Sequence, residues 1–104
     1  MNNIINQICI IESTFLILEE AQVIAQMLVK KKLAKCINIS KIESIYEYKN
    51  EIEEKDEYKL SIKTSISKKD SALKFIKEYH SYNLPELIYY NVNTTKEYQN
   101  WIES

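Results

Sequence analysis

A chain of 104 residues with 45% hydrophobic and 28% charged residues is long enough for one compact domain and not for two. Its 14 basic and 15 acidic side chains leave a formal net charge of −1, too even a balance for a protein whose main task is gripping a phosphate backbone. Glycine and arginine are both absent, which excludes glycine-rich phosphate loops, arginine fingers and bidentate arginine forks, and with them most kinase, GTPase and dinucleotide chemistry.

No linker, low-complexity tract or repeat interrupts the sequence, so residues 1–104 read as a single domain. Ile4 to Ile11 is a short β-branched run that predicts a strand buried on both faces. Ser13 and Thr14 then offer helix caps, and Glu19 and Glu20 stand where a helix start favours negative charge. Ala21, Ile24, Ala25 and Leu28 recur at helical spacing ahead of Lys30, Lys31 and Lys32, which predicts a helix from Leu18 to Lys32. Ala34 to Tyr48 predicts a strand with a phase conflict: Ile37 and Ile39 share one parity, Ile42, Tyr46 and Tyr48 the other. A bulge between Ser40 and Glu43 would reconcile them. Lys49-Asn50 predicts a turn, asparagine being the next best left-handed residue when glycine is missing.

Tyr58, Leu60, Ile62 and Thr64 alternate strictly with Lys59, Ser61 and Lys63, the pattern of a half-buried strand closing a hairpin. Lys69 to Tyr79 predicts a second helix with Ala72, Leu73, Phe75, Ile76 and Tyr79 on its apolar side. The only proline, Pro85, precedes a strand from Glu86 to Val92, and Thr94-Thr95 cap a last helix ending in Trp101-Ile102. This order predicts an α+β, ferredoxin-like split βαβ fold, βαββαβ plus a C-terminal helix, with an antiparallel sheet carrying its helices on one face. The uncovered face and edge strands predict an oligomer, with Tyr46, Tyr48 and Tyr58 suited to an interface.

No run approaches the roughly 18 to 20 apolar residues of a membrane span, and Met1-Asn2-Asn3-Ile4 shows no secretory pattern. The expectation is a cytoplasmic protein without membrane or nucleic-acid partners. Cys9 and Cys36 form no C-x-x-C pair and read as free thiols of a reducing compartment.

Five stretches resemble the CutA family of divalent-cation tolerance proteins. Lys32-Leu33-Ala34-Lys35-Cys36-Ile37-Asn38-Ile39 is similar to its K-L-A-A-C-V-N-I stretch. Ser44 to Glu53 resembles its S-x-Y-x-W-x-G-x-I-E hairpin, and Glu57, Leu60 and Ile62-Lys63-Thr64 fit the run that follows. His80 to Leu87 resembles H-P-Y-x-x-P-E-I, and Tyr98 with Trp101-Ile102 fits the closing Y-x-x-W-I. Tyr48 replaces a tryptophan, Asn50 a glycine and Ser81 a proline. The resemblance implies a homotrimer related in architecture to the PII signalling proteins, closed by edge strands pairing between subunits. It further implies a link to copper or another divalent cation, with no obligatory cofactor and no assigned reaction.

On that resemblance His80 lies in a cleft between subunits as a metal-ligand candidate, and Cys36 adds a soft sulfur. Alone, His80 reads as a helix cap or a solvent-facing residue and Cys36 as a small core residue. One His and one Cys cannot close a tetrahedral site, so water, carboxylates or neighbouring subunits would have to complete it. Some metal-binding relatives have a thiol where this chain has Ser13 and a second His at Tyr79. Glu57, Lys63, Tyr82 and Glu86 are the further pocket candidates, able together to hold a small anionic metabolite. Glu51, Glu53, Glu54, Asp56 and Glu57 resemble a metal-attracting run, but a solvated hairpin explains most of them.

The alternatives are a PII-like small-molecule signalling protein and an enzyme with Cys36 as nucleophile and His80 as base. An acylphosphatase needs an arginine that is absent, and an RNA-binding module of this topology needs paired aromatics that the Tyr58–Thr64 strand lacks.

Overall fold

The computed structural model describes residues 5–104. Its elements are β1 (Gln7–Phe15), α1 (Leu18–Lys30), β2 (Cys36–Tyr48), β3 (Glu51–Thr64), a 3-10 turn (Ile66–Lys68), α2 (Lys69–Tyr79), β4 (Ile88–Asn93) and α3 (Lys96–Glu103). The four strands form one antiparallel sheet in the order β2-β3-β1-β4. Ile4, where the first strand was expected to start, lies outside the described residues.

β1 runs on to Phe15 because Phe15 pairs with Tyr58 and is fully buried in the core. Ser13 and Thr14 are therefore strand residues and not helix caps; the α1 N-cap is Ile17, without a side-chain hydrogen bond. Alternation along β1 sends Cys9, Ile11, Ser13 and Phe15 to one face and Ile8, Ile10 and Glu12 to the other. On the first face Ile11, Phe15, Leu60 and Ile62 pack against Ala21, Ile24, Leu28, Ala72 and Ile76 of α1 and α2. Truncating any of the large aliphatics here to alanine would cost about 2–5 kcal/mol.

α1 ends two residues before the expected Lys32, in a closed cap. Lys32 turns left-handed (φ 61°) and donates to the Val29 carbonyl at 3.0 Å, while Leu33 donates to that of Leu28 at 2.9 Å. This is the geometry in which a glycine normally sits, and the chain has none. α2 covers its expected range, although Tyr79, expected on its apolar side, proves exposed. α3 is capped by Thr95, whose hydroxyl accepts from the Tyr98 amide at 3.2 Å.

Three sequence expectations need correction. First, the β2–β3 ladder is unbroken from Cys36↔Lys63 to Tyr48↔Glu51, so there is no bulge between Ser40 and Glu43. Ile37 packs against the core, whereas Ile45, Tyr46 and Tyr48 stand exposed on a hairpin that outruns the helices. The phase conflict disappears because the second set is not buried within the chain. Lys49 (φ 51°) and Asn50 (φ 66°) make the two-residue turn that extends β3 back to Glu51. Second, β4 starts at Ile88, whose partner is Glu12, and leaves Glu86 in the preceding loop. Third, the helices are not all on one face: Ile102 of α3 packs with Ile8, Ile10 and Val92 on the side away from α1 and α2.

Candidate functional site

The segment after α2 carries the chain across the end of β1 to β4, and its side chains build a polar cluster there. His80 is the α2 C-cap, only 9% exposed, and its ring stacks on Phe15 with centroids 4.2 Å apart. Its Nδ1 accepts from the Tyr82 amide at 3.0 Å, so the ring proton is on Nε2, which donates to the Thr14 carbonyl at 2.8 Å. Both nitrogens are spent inside the protein. Coordination of a metal by His80 would break one of these bonds, so the structure argues for the cap and against the ligand.

Tyr82 lies against His80 with ring centroids 4.9 Å apart, and its hydroxyl donates to Glu57 Oε2 at 2.7 Å. Glu57 is only 7% exposed although it is a carboxylate on a strand. Burial, followed by the Glu57 hydrogen bond and charge, pushes the Tyr82 phenol far above the usual tyrosine range, which keeps it a proton donor.

A second group joins it on the sheet face opposite α1 and α2. Lys59 Nζ stands 3.0 Å from Glu12 Oε1, and the Tyr90 hydroxyl donates to Glu12 Oε2 at 2.8 Å. The Tyr90 bond and then Lys59 hold Glu12 below the ordinary carboxylate value, and the same bond raises the Tyr90 phenol. Glu86 is displaced the other way: burial raises it first, and the charges of Glu12 and Glu57 add to that against Lys59. Glu12 is thus the carboxylate paired with Lys59, and the charges of Glu12 and Glu57 reach Glu86.

Of the pocket candidates, Glu57, Tyr82 and Glu86 come together. Lys63 does not. It lies four residues along β3 from Lys59, about 13 Å away, and donates to Asn38 Oδ1. Glu12, Lys59 and Tyr90 are the members that sequence reasoning missed: Glu12 fell just beyond the expected first strand, and Lys59 was noted only as a polar position in the alternation of its strand.

Cys36 is half-buried on the α3 face beside Tyr98, whose phenol is raised by burial and by this thiol. It occupies the row of Lys63 and Ile10, whereas His80 sits at Thr14 and Phe15 on the other side of the sheet, about 15 Å away along the strands. Within one chain they share neither a metal nor a proton, so the Cys36–His80 pair of the enzyme alternative does not exist here. Cys9 is wholly buried, and burial raises its thiol. Among the described residues no group of three or more His, Cys, Asp or Glu side chains is arranged to hold a metal ion.

The CutA1 divalent ion tolerance protein model matches residues 9–104. The chain belongs to the CutA1 divalent ion tolerance family. The divalent-cation tolerance protein CutA of Archaeoglobus fulgidus is 36% identical over 87 residues, 83% of this chain and 85% of that protein. The CutA homolog of Xenopus laevis is 44% identical over 69 residues, 65% of this chain but only 46% of the relative. Among solved structures, the periplasmic divalent cation tolerance protein CutA of Archaeoglobus fulgidus aligns with a TM-score of 0.87 at 34% identity, covering 92% of this chain and 94% of that one. CutA from Synechococcus elongatus PCC7942 gives 0.88 at 28% identity, over 93% and 88%. The CutA match accounts for the four-stranded antiparallel sheet with its helices.

Proposed function

We propose that this CutA-family chain is the subunit of a ferredoxin-like homotrimer that binds divalent cations, copper among them, in a regulatory and non-enzymatic role. The reading is carried by the CutA1 family match over residues 9–104; Glu12, Glu57 and Glu86, close enough for their charges to act on one another, are the carboxylates this chain would bring to such a site. Carboxylate oxygens are ready donors to divalent ions, and a cation would offset both the burial that chiefly raises Glu86 and the smaller push of the Glu12 and Glu57 charges. One chain does not close such a site, so a neighbouring subunit has to supply the remaining ligands. Association is favoured by exposed Ile88, Tyr89 and Tyr90 on β4 and by Ile45, Tyr46, Tyr48 and Ile52 on the hairpin, beside the open edges β2 and β4. Cys36, exposed to the α3 side only in part, is a secondary donor in this scheme.

No helix among the described residues is long and apolar enough to cross a membrane. The proposal retains a cytoplasmic setting, which fractionation of the native host would check. Light scattering should return three subunits. Calorimetric titration with Cu²⁺, Zn²⁺ and Mg²⁺ should show saturable binding that Glu86→Gln weakens about tenfold or more, while Cys36→Ser changes it less. A stable monomer, or identical isotherms for wild type and Glu86→Gln, would overturn the reading.

A further inference from the structure

We propose that His80 is a proton-operated latch: a proton taken from solvent at Nδ1 undoes its bond to the Tyr82 amide, frees the segment leading to β4, and uncovers the Glu57 carboxylate. The latch is built from hydrogen bonds within one chain, so it goes beyond the cation reading and does not depend on it.

The segment from Ser81 to Leu87 joins α2 to β4 with no backbone–backbone hydrogen bond among the described residues. Side chains tie it down instead. The Ser81 amide and hydroxyl donate to Glu20 Oε2 and Oε1 on α1, each at 2.9 Å. The Tyr82 amide donates to His80 Nδ1 at 3.0 Å, and the Tyr82 hydroxyl to Glu57 at 2.7 Å. Two residues on, Leu84 is 91% exposed. Loss of the His80 bond therefore leaves Ser81 as a pivot and the Tyr82 hydroxyl as the last hold on the sheet.

The two ring nitrogens respond differently to a proton. Nε2 already donates to the Thr14 carbonyl at 2.8 Å, and a positive ring strengthens that bond. Nδ1 has one lone pair, and the Tyr82 amide occupies it. A proton there sets two N–H groups against each other. The ring is buried and lies nearly parallel to Phe15, at 16°, so the Tyr82 backbone is the part that yields.

Imidazole is the side chain whose charge ordinarily changes between about pH 5 and 8. Around this ring, β1 brings the uncharged Thr14 and Phe15, α1 brings Glu20 on Ser81, and β3 brings Glu57 on Tyr82. Lys59, opposite Thr14, is committed to Glu12, and Lys77, Glu78 and Tyr79 in the last turn of α2 are exposed. Burial and the Tyr82 bond to Glu57 keep the Tyr82 phenol protonated throughout that range. Glu86, raised chiefly by burial, is the competing titration in the same segment.

Nitrogen NMR of the metal-free protein should place the ring proton on Nε2 at about pH 8 and find both nitrogens protonated at about pH 5. Over the same titration the Tyr82 amide should lose about tenfold or more of its protection against hydrogen exchange, while the amides of α2 keep theirs. The Glu57 carboxyl carbon should shift in step with the ring. His80→Asn retains an acceptor for the Tyr82 amide but nothing that titrates, so its Tyr82 protection should be the same at both ends. Glu86→Gln should leave the response intact. The wild-type ring and amide readings decide the matter even if His80→Asn is unstable. A ring still singly protonated at the acid end, undiminished Tyr82 protection under a doubly protonated ring, or a response lost in Glu86→Gln would overturn the proposal.

Discussion

Replacing Tyr82 by phenylalanine removes one hydroxyl and little else. The ring keeps its place 4.9 Å from the His80 ring, and the Tyr82 amide still donates to Nδ1. What is lost is the 2.7 Å bond to Glu57 Oε2, and Glu57 has only 7% of its surface left to recover water. A hydrogen bond to a charged group is worth about 1.5–3 kcal/mol when broken this way. For a domain of this size the loss corresponds to a fall in Tm of at least about 6 °C. Urea unfolding at fixed protomer concentration, needed because association shifts apparent stability, measures it. In a cycle with Glu57→Gln, which leaves an acceptor of nearly the same shape, the two losses should be less than additive. If Tyr82→Phe stays within about 0.5 kcal/mol of wild type, Glu57 is solvated in reality and the buried pair is not a determinant of the site.

Other substitutions probe neighbouring features. The Ser13 hydroxyl is buried without a hydrogen-bond partner among the described residues, so Ser13→Ala should raise stability by about 1 kcal/mol in the same urea assay. Glu86 holds its proton more tightly when folded than its ordinary value of 4.5 allows, so it lowers stability as pH rises from that value through the folded one. Glu86→Gln should therefore unfold at a higher temperature than wild type at pH 7, with the gain fading as pH is brought below 4.5; scanning calorimetry across that range tests the sign. Asn50→Gly should gain about 0.5–1 kcal/mol by relieving the left-handed turn at φ 66°, measured by thermal melting.

Periodicity made α1, α2 and the core half of β3 readable, since each buries one face against a neighbour within the chain. It failed where burial fails: Tyr46 and Tyr48 are exposed within the chain and Ile42 is only partly buried, and a phase conflict was inferred that the ladder does not contain. α3 was legible as a helix but its side of the sheet was not, because an amphipathic stripe records that a face is covered and not which one. At the candidate site, Glu57, Tyr82 and Glu86 followed from the family resemblance. Lys63 followed from the same resemblance but stands apart from them, while Lys59, of the same parity and chemistry, is the lysine that meets Glu12. His80 was recognisable as a distinctive residue, but its acceptor and donor bonds depend on backbone groups that no side-chain pattern encodes.

The hairpin that reaches past the helices gives the protein a long dimension of 53 Å against 30 and 21 Å for the other two. A two-stranded ribbon of that kind is marginal in water on its own. In a solitary protomer, amide protons from Ile45 to Glu54 should exchange with deuterium well before those from Leu60 to Thr64, although both belong to the same pair of strands. Slow exchange at the tip would then be a gauge of crowding by other copies, turning one end of the ribbon into a thermometer for encounter and the other into an internal standard.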